Sequence, residues 1–200
     1  MIKVVVTGGI GSGKTFICSV FKNLGIPIFH ADTEARTIMN KNKSIINQIK
    51  HTFGADIYLK NDVLDRKKLA NIVFNDSFAL ENLNQIVHPE VRRSFKNWSS
   101  NQQSYYVIQE SAIVFENNQI TQFDKIITVT APLKVRVKRI IERNNINKEE
   151  VLARINNQVS DAYKVKHSDY VIFNDGKTMI LPQIIEIHKR LIEWQNLENG

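Results

Sequence analysis

The sequence predicts an α/β fold: a parallel sheet of five strands flanked by helices. Three observations carry that reading. The chain opens on a continuous apolar, β-branched run, Ile2 to Thr7, the composition of a strand buried on both faces. A glycine-rich segment follows and leads directly into a stretch of helical periodicity. Further along, strand-like runs alternate with helical stretches, the pattern of parallel βαβ units.

The elements follow in order. After the first strand, a helix is predicted from about Lys14 to Leu24, with Ile17, Val20, Phe21 and Leu24 on one face and Gly25 placed to end it. Ile26 to His30 reads as a short second strand, and a helix begins near Asp32. Residues from about 32 to 101 read as helical. Asp65 is an N-cap candidate before Arg66 to Phe74, Asp76 before Ser77 to Val87, and Pro89 is expected to open another helix. Tyr105 to Gln109 and Lys125 to Val129 are the third and fourth strands. Pro132 opens a helix to about Asn144, Lys148 to Gln158 forms another, Tyr170 to Phe173 is the last strand, and a final helix ends near Gln195. The expected organisation is one domain with a core of 1–31, 102–133 and 168–200, a helical insert at 32–101 and a helical lid region at 134–167.

Composition narrows the function. The 200 residues are 42% hydrophobic and 24% charged, an ordinary globular balance. No window approaches the 18 uninterrupted apolar residues of a membrane helix, and the opening apolar run is too short for a secretory leader, so a cytoplasmic protein with no membrane role is expected. A single cysteine excludes an internal disulfide framework. Lys and Arg exceed Asp and Glu by 27 to 20, a formal charge of +7, which suits an anionic partner. No basic run, zinc-finger spacing or aromatic RNA-binding string points to nucleic acid.

The chemistry resides in Gly8-Gly9-Ile10-Gly11-Ser12-Gly13-Lys14-Thr15, which fits the P-loop pattern G-x-x-x-x-G-K-S/T between a buried strand and an amphipathic helix. Its glycines let backbone N–H groups turn onto phosphate oxygens, and the helix N-terminus adds positive potential. Lys14 is expected to reach the β- and γ-phosphates, and the Thr15 hydroxyl to bind Mg²⁺. These features predict a P-loop NTPase fold. No D-x-x-G or N-K-x-D occurs, which argues against a GTPase, whereas a helical insert after the second strand is the place where small-molecule kinases hold a phosphoryl acceptor.

Several other residues bear on the reaction. Asp32 follows the second strand, at the carboxyl end where parallel sheets bind ligands; it is either a base for an attacking hydroxyl or a helix cap. Arg36, one turn on, either holds an acceptor phosphate or is a solvated charge. Glu110 ends the third strand, as a Mg²⁺-associated carboxylate or an ordinary polar terminus. Arg136, Arg139 and Arg143 share a helix face, with Arg154 and Gln158 on the next helix. This is either a lid that closes over a triphosphate or a solvated face.

In these motifs the sequence resembles the dephospho-CoA kinase family over nearly its whole length. The P-loop matches, and Asp32 and Arg36 fit that family's D-A-D-x-x-A-R, with His30 in place of the first Asp. Asp65-Arg66, Leu69, Val73-Phe74, Leu83 and His88-Pro89 resemble its acceptor lobe. Arg139, Arg143, Arg154, Gln158 and the run from Asp169 to Asn174 resemble its lid and last strand. The family's D-V-P-L-L-F-E reads Glu110-Ser111-Ala112-Ile113-Val114-Phe115-Glu116 here, without the proline. Phe16 stands where a second Ser or Thr often follows the P-loop lysine.

The resemblance implies ATP-dependent phosphorylation of the ribose 3′-hydroxyl of dephospho-CoA, the last step of coenzyme A biosynthesis, with Mg²⁺ and no obligatory protein partner. It implies a nucleotide site of Gly8, Gly9, Gly11, Ser12, Gly13, Lys14, Thr15, Phe16 and Asn174. Asp32 is implied as base, Arg139 and Arg143 as charge-neutralising groups beside Lys14, and Arg36, Arg66, His88 and Arg92 as acceptor contacts. Thr15 and Glu110 remain the metal-side pair. Another P-loop kinase, or a non-catalytic ATP switch, is the alternative.

Overall fold

The computed structural model describes residues 1–60 and 62–198. Two compact units divide the chain, one of 1–30 with 102–200 and the other of 31–101.

The first unit holds a five-stranded parallel sheet: β1 (Ile2–Thr7), β2 (Ile28–His30), β3 (Tyr106–Glu110), β4 (Lys125–Thr130) and β5 (Tyr170–Phe173), in the order β2-β3-β1-β4-β5. β1 is central, which explains its apolar run. Val4 and Val6 face a core built with Ile17, Cys18 and Phe21 of α1 (Lys14–Asn23) and Ile184, Ile187 and Leu191 of α9 (Ile180–Glu198), while Val5 faces Val114, Phe115 and Ile126 on the other side. Pro27 keeps β2 short of Ile26. Its carbonyl still accepts from Ile108 N–H, but its ring nitrogen has no hydrogen to give.

After β4 come α6 (Leu133–Asn144), α7 (Lys148–Asn156) and α8 (Asp161–Lys166). No local pattern signals α8. It is a six-residue helix, too short for an amphipathic period, started by the Ser160 hydroxyl accepting from Tyr163 N–H. The side chain of Lys164 on α8 is completely buried. Its ammonium donates to Glu116 Oε1 at 2.8 Å, an oxygen that also accepts from Val159 N–H. Glu116 Oε2 is buried without a hydrogen-bond partner among the described residues.

The second unit is all helical: α2 (Ala31–Lys41), α3 (Lys43–Phe53), α4 (Arg66–Asn75) and α5 (Ser77–Ser100). Side chains of Asn42, Asp65 and Asp76 accept from the first-turn N–H groups of α3, α4 and α5. Pro89 does not open a helix; it lies inside the 24-residue α5. Val87, Val91 and Phe95 recur every four residues on its buried stripe. Packing of that continuous stripe outweighs the roughly 3 kcal/mol that an interior proline costs.

Removing one member of a buried ion pair strands the other. Lys164→Ala is therefore expected to lower stability by about 3 kcal/mol or more in urea unfolding. Replacing both partners, Lys164→Met with Glu116→Leu, should recover most of that loss.

Candidate active site

The loop between β1 and α1 needs glycine at its two ends for different reasons. Gly8 has φ +139°, and a Cβ there would stand 2.1 Å from the Val129 carbonyl oxygen of β4. Gly13 precedes α1 in the left-handed region, with φ +97°, and its Cβ would meet Asn174 Nδ2 at 2.3 Å. Among the described residues no side chain caps α1, and the start of this helix carries the positive end of its dipole, which suits an anion.

Donors behind the loop take its carbonyls. Lys14 Nζ donates to Gly8 O at 2.9 Å and Gly9 O at 3.3 Å. Arg136, buried, donates through Nε to Ile10 O at 2.9 Å and pairs with Asp161. Arg139 Nη1 reaches Asn174 O at 3.1 Å, Ser12 O at 3.4 Å and Gly11 O at 3.5 Å, and its Nη2 donates to Asn174 Oδ1 at 3.2 Å. The buried Asn174 amide donates to Ser12 O at 2.8 Å. Gln158 Oε1 accepts from Ile10 N–H at 2.8 Å, and the Ile10 side chain packs with Val137, Ile140 and Val151 of α6 and α7. The arginine-bearing helices are thus docked on the loop.

A second cluster forms at the carboxyl end of β3. Register places His30 beside Glu110, and Glu110 beside Val6. Glu110 Oε1 accepts from the Thr15 hydroxyl at 2.7 Å, and Oε2 lies 2.5 Å from His30 Nδ1. The described residues include no cluster of three or more His, Cys, Asp or Glu able to enclose a metal. Mg²⁺, however, is usually held by one or two protein oxygens together with substrate phosphates. A hydroxyl and a carboxylate 2.7 Å apart at the phosphate loop fit that hard-oxygen requirement. Cys18, beneath them, has its thiol pushed far above its ordinary pKa by burial and by the Glu110 charge, against the opposing pull of Lys14, which leaves it unreactive.

The other candidates fall elsewhere. Phe16 is exposed on α1, and Arg143 is exposed with its Nε on Asn144 Oδ1. In the helical unit, Asp32 and Arg36 lie one turn apart on α2, His88 and Arg92 one turn apart on α5, and Arg66 opens α4. Because α2 begins at Ala31, Asp32 lies within its first turn rather than before it. Burial, and then the Arg92 charge, lower the His88 pKa below its ordinary value. Sequence reasoning missed the His30–Glu110 contact, which strand register alone could have signalled, and the burial of Arg136, which looked like one more surface charge.

A family model for dephospho-CoA kinase matches residues 2–179. The chain belongs to the dephospho-CoA kinase family. A dephospho-CoA kinase of Bacteroides fragilis is 34% identical over 187 residues, covering 93% of this chain and 91% of the relative. The crystal structure of TT1252 from Thermus thermophilus shares 31% identity with a TM-score of 0.82 over 96% of both chains. A dephospho-CoA kinase from Campylobacter jejuni shares the fold, with a TM-score of 0.68 at 24% identity over 96% of this chain and 97% of its own. The dephospho-CoA kinase family assignment agrees with the helix-flanked parallel sheet described above.

Gly8→Ala should abolish binding of a non-hydrolysable ATP analogue, measured by calorimetry. The new methyl group can be accommodated only by moving the backbone of β4 or of the loop itself.

Proposed function

We propose that the chain transfers the γ-phosphoryl group of ATP to the ribose 3′-hydroxyl of dephospho-CoA, giving CoA and ADP. The observation that carries this is the P-loop of a dephospho-CoA kinase family member, with its carbonyls tied back and the Thr15 hydroxyl held on Glu110.

In this reading N–H groups of the loop and of the first turn of α1, other than those of Ile10 and Ser12, bind the phosphates together with the Lys14 ammonium. Thr15 and Glu110 would hold Mg²⁺, which when bound offsets charge on the phosphates. Asp32 accepts the proton of the attacking hydroxyl. It lies in the first turn of α2, two residues beyond the end of β2, at the carboxyl end of the sheet where ligands of parallel sheets bind. Arg36, Arg66, His88 and Arg92 contact the acceptor, and a net charge of +7 suits two polyanionic substrates. Phe16 and Asn174 flank the nucleotide, Asn174 through its contact with the loop. Arg139, fixed on loop carbonyls, supports the cradle, and Arg143, exposed, is the arginine available to meet charge on the moving phosphoryl group. The insert at 32–101 carries the acceptor, and 134–167 covers the nucleotide. Among the described residues no helix is long and apolar enough to cross a membrane, and we assign the reaction to the cytoplasm, where both nucleotides are met.

A coupled ADP-release assay with dephospho-CoA, with nucleoside monophosphates and with buffer alone tests the reading. Stoichiometric turnover is expected only with dephospho-CoA. Turnover with a monophosphate instead would make the chain a nucleotide kinase, and none with any acceptor would leave a binding switch.

Asp32→Asn is expected to lower kcat by about 10²–10⁴-fold, with ATP affinity and Tm unchanged. A variant within about threefold of wild type would remove Asp32 from the proton transfer. Arg143→Ala should lower kcat by about tenfold or more while the KM for dephospho-CoA stays close to wild type. An equal rise in KM would instead place Arg143 in ground-state binding.

A further inference from the structure

His30 ends the three-residue edge strand β2, and its lateral partner in β3 is Glu110. Side chains of paired residues in neighbouring parallel strands project from the same face, so the register itself sets the imidazole against the carboxylate. Both Glu110 oxygens are engaged, and by different elements: Oε1 by Thr15 of α1 at 2.7 Å, Oε2 by His30 of β2 at 2.5 Å. An ionised carboxylate only accepts hydrogen bonds, so both partners must donate. This fixes a proton on His30 Nδ1. It also commits the single Thr15 hydroxyl proton to Glu110 and leaves the hydroxyl lone pairs for another partner. The Glu110 side chain is 13% exposed and that of His30 44%, so the imidazole covers the outer oxygen of a largely enclosed carboxylate.

We propose that His30 is a positioning residue: its Nδ1–H holds Glu110 in the rotamer that keeps Oε1 on the Thr15 hydroxyl, and so tunes the affinity of this pair for a divalent cation. The inference rests on the reading of Thr15 and Glu110 as the metal-side pair. Glutamate has three rotatable side-chain bonds. Anchored at one oxygen only, it can swing about that bond and carry the Thr15 hydroxyl with it; anchored at both, it presents one arrangement. Partners that orient a ligating group from behind typically contribute about 10- to 100-fold in metal affinity.

The test is Mn²⁺ binding by electron paramagnetic resonance, with a non-hydrolysable ATP analogue present, for wild type and for His30→Ala, His30→Asn and Glu110→Gln. His30→Ala should weaken Mn²⁺ by about tenfold. In turnover it should raise the KM for Mg²⁺ while leaving kcat at saturating Mg²⁺ near wild type. His30→Asn should recover most of the affinity, because its amide N–H can donate from about the place of Nδ1. Unchanged affinity in His30→Ala, or His30→Asn as weak as His30→Ala, overturns the proposal if Glu110→Gln has weakened binding. Unchanged affinity in Glu110→Gln overturns the metal-side reading itself, and the role of His30 with it.

Discussion

The site depends on what happens to five carbonyl groups. From Gly8 to Ser12, each carbonyl oxygen accepts from a donor behind or within the loop: Lys14, Ser12 N–H, Arg136, Arg139 or Asn174. A glycine-rich loop left to itself presents carbonyls and N–H groups in any mixture. Committing the carbonyls makes the free face of the loop a donor surface, which is what an anion requires. The donors come from α1, α6 and the residue after β5, and so the cradle exists only when the sheet is complete. Gly8 and Gly13 are needed because the Val129 carbonyl of β4 and the Asn174 amide approach so closely that no Cβ fits.

The sheet also arranges the contacts of Glu110 with Thr15 and His30. Parallel register sets His30, Glu110 and Val6 side by side at the carboxyl ends of β2, β3 and β1, and α1 starts from the same end and supplies Thr15. No long-range design is needed beyond strand order and a residue of the right type at each strand terminus. This is why ligands of open parallel sheets gather at that end.

Local pattern explains what the sequence made legible. The strand–loop–helix unit from Ile2 to Asn23 is readable because its signals are contiguous: a β-branched run, glycines at fixed spacing, and a four-residue apolar period. The caps at Asp65 and Asp76 were equally local. Pro89 misled because proline is a local signal, whereas the α5 stripe that overrides it is a tertiary one. Arg136, Arg139 and Arg143 share a helical face in sequence yet meet three environments, one buried on Asp161 and Ile10, one on the loop carbonyls and one in solvent. Helical spacing cannot distinguish these, because the difference lies in what α6 is packed against. His30 and Glu110 lie eighty residues apart in the chain and touch in the fold.

The central position of β1 has a consequence for how the chain is made. Its hydrogen-bonding neighbours are β3 and β4, which begin at Tyr106 and Lys125, so this strand leaves the ribosome long before the two that enclose it. At a synthesis rate of about 5–20 residues per second, the run Ile2 to Thr7 waits some 5–20 seconds for its first partner. Rich in β-branched residues, with Lys3 its only charge, it is the kind of segment that pairs with whatever edge it meets. The helical stretch 31–101, contiguous in sequence, emerges during that interval. Its emergence is a delay, during which the nascent strand is exposed to aggregation and available to chaperones.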